Sequence, residues 1–164
     1  MLTRAWTAAA ALQQRFWNRT PPEPLRLRDF AKKVQFYGVH HFWYGDVRWT
    51  YETRDDPPKE VGYIQFAPDS GQIGLFFLDT PFQNRGLGKQ MLAEATANIH
   101  EAQLLLPAED RTHKVWAVTT DNHPFWSNVW GSVFRPVNPA SPRVTGSGYS
   151  ADLDRVLHIS KETA

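Results

Sequence analysis

Residues 83–89, Gln83-Asn84-Arg85-Gly86-Leu87-Gly88-Lys89, place two glycines and two cations where one chain pattern gives way to another. An apolar run, Ile73-Gly74-Leu75-Phe76-Phe77-Leu78, precedes them. A helical pattern follows, with Leu87, Met91, Ala95, Ile99 and Ala102 recurring at steps of three or four. A strand that runs through a glycine loop into a helix presents a row of free backbone N–H groups, which suits an anion. Gly86 and Gly88 lack the Cβ atoms that would hold a phosphate off that backbone. The chemistry indicated is binding of a phosphorylated ligand.

Spacing narrows the ligand. A Walker loop needs Ser or Thr after Gly-Lys, and Gly88-Lys89 is followed by Gln90. The dinucleotide fingerprint needs a third glycine at the place Met91 occupies. The pattern left is Q/R-x-x-G-x-G/A, preceded by Leu78-Asp79-Thr80-Pro81-Phe82. In this run the chain resembles the GNAT superfamily of acyl-CoA N-acyltransferases, whose pyrophosphate signature it is. Gly86 also fits an ordinary strand-to-helix turn.

The elements around the loop must position it. The reading along the chain begins with a short strand over residues 1–6 and a helix over 7–18 capped by Thr7, with 20–24 ending it. A second helix is predicted over 25–37, where Leu27, Phe30, Val34 and Tyr37 share a face, with Gly38 as its stop. From His41 the period becomes two, through Trp43, Val47, Trp49 and Tyr51. Residues 54–59 form a turn, 61–67 a strand, and Pro68-Asp69-Ser70-Gly71 a hairpin turn into the motif strand. After the long helix come a loop over 107–113 and a buried strand over 114–120. A short helix is expected over 124–130, capped by Asp121 or Asn122. Strands over 132–137 and 149–159 close the fold, joined by a loop at 138–148. The resulting order is β-α-α-β-β-β-α-β-α-β-β. The resemblance implies an α/β (α+β) GNAT fold spanning residues 1–164 as a single domain: a central mixed, mostly antiparallel sheet, splayed between strands 4 and 5 and flanked by about four helices.

Composition agrees with one domain that can bury a core, at 164 residues. The net charge of +1 gives no field that would draw in nucleic acid or an acidic membrane surface. No cysteine is present, which removes disulfides, thiolate metal sites and a cysteine nucleophile, and fits a cytoplasmic protein. The short apolar run 8–12 is not a signal peptide, and no run has membrane-span length. His40 and His41, adjacent on a strand, point to opposite faces and make no metal site.

What the resemblance implies for the site is specific. In GNAT proteins the motif strand is bulged and splays from its neighbour, and the pantetheine arm of acetyl-CoA pairs with it there. Backbone at Phe76, Phe77 and Leu78 takes that role, and an amide-bearing arm extending a sheet edge is sensible chemistry. Gln83, Asn84, Arg85, Gly86, Leu87, Gly88 and Lys89 surround the pyrophosphate. Each helix-end charge adds about 0.3–1 kcal/mol, so the N–H groups outweigh either cation. Asn122 falls where the family often has a cofactor-contacting asparagine, and equally fits a helix cap. Departures follow. The tyrosine that protonates the leaving thiolate in many members is replaced by Val129, and the next Gly-Phe pair by Val133-Phe134. Glutamates seen in some members fall near Ala117 and Gln72. Trp126 and Trp130 carry no acidic hydroxyl. The catalytic candidates left are Tyr149 as acid, and His41, Glu60 or a carboxylate of the last strands as a base acting through water. A strand N–H near Leu78 suits an oxyanion. A thiol of pKa about 8.5 leaves without strong acid assistance.

The leading expectation is an acetyl-CoA-dependent N-acetyltransferase. Its acceptor is a primary amine on a protein N-terminus, a lysine or a small molecule, entering between the two N-terminal helices and residues 138–148. The alternative is a catalytically weak GNAT-fold module that binds acyl-CoA or a protein partner. Neither needs a metal, nucleic acid or a membrane, and a homodimer is compatible with both.

Overall fold

The computed structural model describes residues 23–36, 46–119, 124–137 and 147–163. Seven strands form one sheet in the order β1-β2-β3-β4-β5-β7-β6: β1 (Phe30–Phe36), β2 (Val47–Thr53), β3 (Glu60–Ala67), β4 (Gln72–Leu78), β5 (Lys114–Thr119), β6 (Arg135–Val137) and β7 (Ser147–Asp152). Every pairing is antiparallel except β4 with β5. Three α-helices lie among the described residues: α1 (Leu87–Leu104), α2 (Pro124–Asn128) and α3 (Leu153–Glu162).

The core forms where alternation and helical spacing meet. Val47, Trp49 and Tyr51 of β2 and Ile64 and Phe66 of β3 are buried at steps of two. Trp49 and Phe66 meet edge to face, with centroids 4.9 Å apart. On α1 the buried residues are Leu87, Met91, Leu92, Ala95, Thr96, Ile99 and Gln103, a stripe at steps of three and four. Full burial of each large side chain in that stripe is worth about 1.5–3 kcal/mol. Polar ties set the helix's position along the sheet. Gln103 donates to the carbonyls of Pro68 and Asp69 at 2.6 and 2.7 Å and accepts from the N–H of Thr112 at 2.7 Å. Near the other end, Gln90 accepts from the N–H of Leu27 at 3.0 Å and donates to the carbonyl of Leu25. Glu94 receives Lys32 and, at 3.1 Å, the Tyr51 hydroxyl. Helix α3 packs on α1 and on β7.

Three expectations are corrected. Residues 25–37 are not a helix: Leu27–Asp29 is one 3-10 turn, and Phe30–Phe36 is strand β1, paired along its length with β2. Phe30 and Val34 are four apart, a spacing shared by both periods. Phe36, a third member of the alternating set, and the richness in aromatic and β-branched residues decide for the strand. Residues 37–46 join β1 to β2. Residues 149–159 are not one strand: β7 ends at Asp152 and α3 begins at Leu153, with Leu153 and Val156 buried and Asp154 in its first turn. The spacing of Leu153, Val156 and Leu157 is the helical signal that the strand reading passed over. Finally, the strand expected over 132–137 is confined to Arg135–Val137. Trp130 and Ser132, with φ of 47° and 67°, turn the chain just before it. The strand expected over 1–6 and the helix over 7–18 lie outside the described residues, as do His41, Asn122 and most of the 138–148 loop.

Candidate acyl-CoA site

Strand β4 is where the sheet opens. Gln65 pairs with Leu75 but Phe66 pairs with Ile73, so Gly74 is an extra residue, a bulge. On its other edge β4 pairs with β5 only at Gln72↔Trp116 and Ile73↔Ala117. Beyond the bulge β5 continues with β7 alone, through Thr119↔Ser147. Among the described residues, the β5-facing edge of residues 75–78 therefore has no strand partner. Exposed backbone of this kind accepts an extended, amide-bearing ligand as an added strand.

The loop that follows is built by its own side chains. Asp79 accepts from the N–H of Thr80 at 3.0 Å and caps the 3-10 turn Thr80–Phe82. Gln83 donates to the carbonyl of Leu78 at 2.7 Å, bracing the loop against the strand end. Asn84 and Gly86 take left-handed conformations, φ 58° and 83°. Gly86 caps α1 and accepts from the N–H of Gln90 at 3.2 Å. Among the described residues, no backbone acceptor receives the N–H groups of residues 85–89. A Cβ on Gly86 would meet nothing within 4 Å, so the space in front of this helix end is open. Gly88 is glycine for a different reason as well: its Cβ would come 3.3 Å from the Phe125 ring and 3.6 Å from Phe76.

The residues fit an anion. The Arg85 Nε is buried and has no hydrogen-bond partner. A buried donor without a partner costs about 1–3 kcal/mol, more when charged, and an anion at the loop removes that cost. Lys89 is exposed beside it. Buried Leu87 and Met91 root this helix end in the core, so the cradle sits on a rigid element.

The opposite wall of the opening is aromatic, and the sequence reading had not assigned it. Phe76 meets Phe125 and Trp126 of α2 at 5.1 and 5.9 Å between centroids, and Trp126 meets Phe134 at 5.2 Å. The cluster of aromatics after Pro124 was the available signal. Phe77, next on the strand, faces the other way and is 48% exposed, stacked on Tyr63 at 5.5 Å.

The described catalytic candidates, Tyr149 and Glu60, are not brought together. Tyr149 lies within β7 rather than on a loop, opposite Ala117 and Pro136. Since Ala117 pairs with Ile73, Tyr149 stands on the cross-strand row where the opening begins, with its side chain buried. Glu60 is exposed at the start of β3, two residues from Gly62, which pairs with Leu78. It sits at the cradle end, roughly 20 Å along the strand from Phe66. Val129, at the place of the family tyrosine, is 2% exposed and packed in the core. Among the described residues no three His, Cys, Asp or Glu side chains gather as metal ligands, and no helix is long and apolar enough to cross a membrane.

No protein-family model matches the chain, and no curated protein matches it. Solved structures do. The KacTA–DNA complex is 10% identical over 71% of this chain and 74% of that one, with a TM-score of 0.52. AtaTR bound with AcCoA is 13% identical over 68% and 69%, with a TM-score of 0.51. A GNAT-family acetyltransferase from Staphylococcus aureus Mu50 is 20% identical over 66% and 68%, at 0.47. That likeness is one of fold: the chain has the GNAT-superfamily fold.

Proposed function

We propose that the protein is an acetyl-CoA-dependent N-acetyltransferase acting on a primary amine. The observation that carries this reading is the continuity of the open β4 edge, from the Gly74 bulge through residues 75–78, with the unpaired N–H groups of residues 85–89. A GNAT-fold structure solved with AcCoA supports the choice of ligand. The cradle of Asn84, Arg85, Gly86, Leu87, Gly88 and Lys89 would hold the pyrophosphate, with Gln83 bracing it. Backbone of Phe76, Phe77 and Leu78 would hold the pantetheine arm, and Asn122 is kept as a further contact. An acyl-CoA supplies, when bound, a thioester carbonyl open to attack by an amine.

The chain's own contributions follow from position. N–H groups on the open edge of β4 would donate to the oxygen of the reacting carbonyl. Phe76, Phe125 and Trp126 would exclude water from one side. A ligand anchored at the cradle and running back along β4 brings its far end toward the bulge. Tyr149 is then the candidate to hand a proton to the leaving sulfur, and Glu60 is too far away to act as the base. The acceptor is an amine of a small molecule or a protein. A near-neutral chain gives no reason to name nucleic acid as the ligand.

A second reading, a catalytically weak module that binds acyl-CoA or a protein, is favoured by buried Val129, which offers no hydroxyl. One experiment separates them. Acetyl-CoA at about 100 times its dissociation constant adds about 2.7 kcal/mol of stability, a melting shift of roughly 5–10 °C. The enzyme reading expects that shift together with CoA release on adding an amine from a panel of small amines, polyamines and peptides. The shift without turnover supports the module. No shift in folded protein removes the enzyme reading and the acyl-CoA-binding form of the module.

A further inference from the structure

Helix α1 runs out into five successive apolar residues, Leu104-Leu105-Leu106-Pro107-Ala108. Its buried stripe stops with Ile99 and Gln103, and the residues after it turn outward: Leu104 is 55% exposed and Leu105 88%. Pro107 and Ala108 beside them are exposed as well. Single apolar residues are common on protein surfaces, but four exposed ones in a run of five make a patch that folding leaves uncovered. The patch is held in place. The N–H of Leu106 donates to the carbonyl of Gln103 at 3.1 Å, and that of Asp110 to the carbonyl of Pro107 at 3.0 Å. The Arg111 guanidinium donates to the carbonyls of Leu106 and Leu104 at 3.0 and 3.2 Å, locking the turn onto the helix end. A surface fixed in advance loses little conformational entropy when a partner seats on it.

The rim of the patch has one sign. Glu101 stands one helical turn before Leu105, and Glu109 and Asp110 follow Ala108. All three are exposed, and none is in an ion pair among the described residues. Arg111, the cation of this segment, is committed to the helix carbonyls. An apolar centre inside a charged rim is how protein–protein interfaces are built. A second copy seated on the same patch about a twofold axis would set these carboxylates against their own counterparts, which is unfavourable. A partner of opposite rim charge meets no such repulsion. We propose that the C-terminal end of α1 docks a partner protein through an apolar surface edged with lysine or arginine. The pyrophosphate cradle lies at the other end of this 18-residue helix, about 27 Å away, so the docking site stands apart from the acyl-CoA reading and does not depend on it.

The test is a titration of a helical peptide of about four turns, leucine on one face and lysine along both edges, into isotope-labelled protein. The expected result is a saturable shift of the backbone amides of Glu101, Leu105, Ala108 and Glu109. It should weaken at high salt and be absent with the same peptide carrying glutamate for lysine. Leu105→Ser, at a position that folding leaves exposed, should keep the melting temperature and weaken binding by about tenfold or more. Glu109→Lys combined with Asp110→Lys should abolish it, and serves if the first variant does not fold. Absence of a saturable shift at these amides in wild type overturns the proposal. So does a shift centred elsewhere on the surface, affinity unchanged in either folded variant, or equal affinity for the glutamate peptide. Sedimentation of the protein alone adds one more outcome: a dimer that Leu105→Ser dissolves would make the occupant a second copy and overturn the proposal as well.

Discussion

At Gln72 and Ile73, β4 is held on both edges, by β3 and by β5; over residues 75–78, among the described residues, it is held by β3 alone. The two ends share one strand and one apolar composition, so composition cannot be the cause of the difference. The bulge at Gly74 is the place where it begins, because an extra residue there turns the strand away from its neighbour's register. The closed end is backed by Phe66, Ile73 and Ala117, all buried, and belongs to the core. The open end leads into a loop in which, among the described residues, no backbone acceptor receives the N–H groups of residues 85–89. One end of the strand secures the fold, and the other is left available to a ligand.

The largest expected effect breaks the open end without touching the closed one. Gly86→Asp introduces a carboxylate into open space, at a helix N-cap where aspartate is favoured and at a left-handed φ that it tolerates better than most residues. Like charges about 4 Å apart interact by roughly 4 kcal/mol at a surface-like dielectric. Acetyl-CoA affinity should therefore fall on the order of 1000-fold by calorimetry while the folded spectrum is kept. Unchanged affinity would reduce the loop to a turn. Gly88→Asp is the poorer probe, since its Cβ would crowd Phe125 and confound binding with packing.

Adjacent residues of the open end sharpen the comparison next. Phe76 packs with Phe125 and Trp126 and is only partly exposed, whereas Phe77 is 48% exposed on the other face. Phe76→Ala should cost about 2–4 kcal/mol in denaturant unfolding, and Phe77→Ala about 1 kcal/mol or less. Equal losses would mean that the wall of the opening is not packed as described. Tyr149→Phe probes the row where the opening starts. If Tyr149 supplies the proton, turnover should drop about 100-fold with acetyl-CoA affinity unchanged. No drop would assign that role elsewhere.

The amount legible in the sequence differs between these regions for a physical reason. Loop and helix were legible because Gly86 at positive φ, the stop of the apolar run at Leu78 and the three-four spacing from Leu87 are all local requirements. The bulge was inferred only through the family resemblance, since Gly74 inside an apolar run reads equally as a weak strand residue. Strand β1 was misread because Phe30 and Val34 satisfy two periods at once, and only pairing with β2 decides between them. Tyr149 was identified as a candidate, but its place opposite Ala117 depends on register across three strands, which no local pattern encodes. The wall is the meeting of Phe76 with Phe125 and Trp126, residues distant from it in sequence, and such meetings are a property of topology.

The smallest effect belongs to the buried core. Burial pushes the Tyr51 phenol above its ordinary value of 10.0. The folded state thus holds this proton where the unfolded chain releases it, so the stability it contributes is complete below about pH 10 and is lost as pH rises above it. The slope cannot exceed about 1.4 kcal/mol per pH unit. Tyr51→Phe should flatten the alkaline limb of the stability curve, and an unchanged limb would contradict the burial.

The central claim is that the open edge of β4 and the N–H groups of residues 85–89 form one continuous ligand surface. Amide hydrogen exchange with and without saturating acetyl-CoA tests it residue by residue. The account predicts slowed exchange at residues 75–78 and 85–89 together, with β2 unaffected. Exchange unchanged at both segments under saturating ligand, or slowed at the loop while residues 75–78 stay as fast as before, would contradict it.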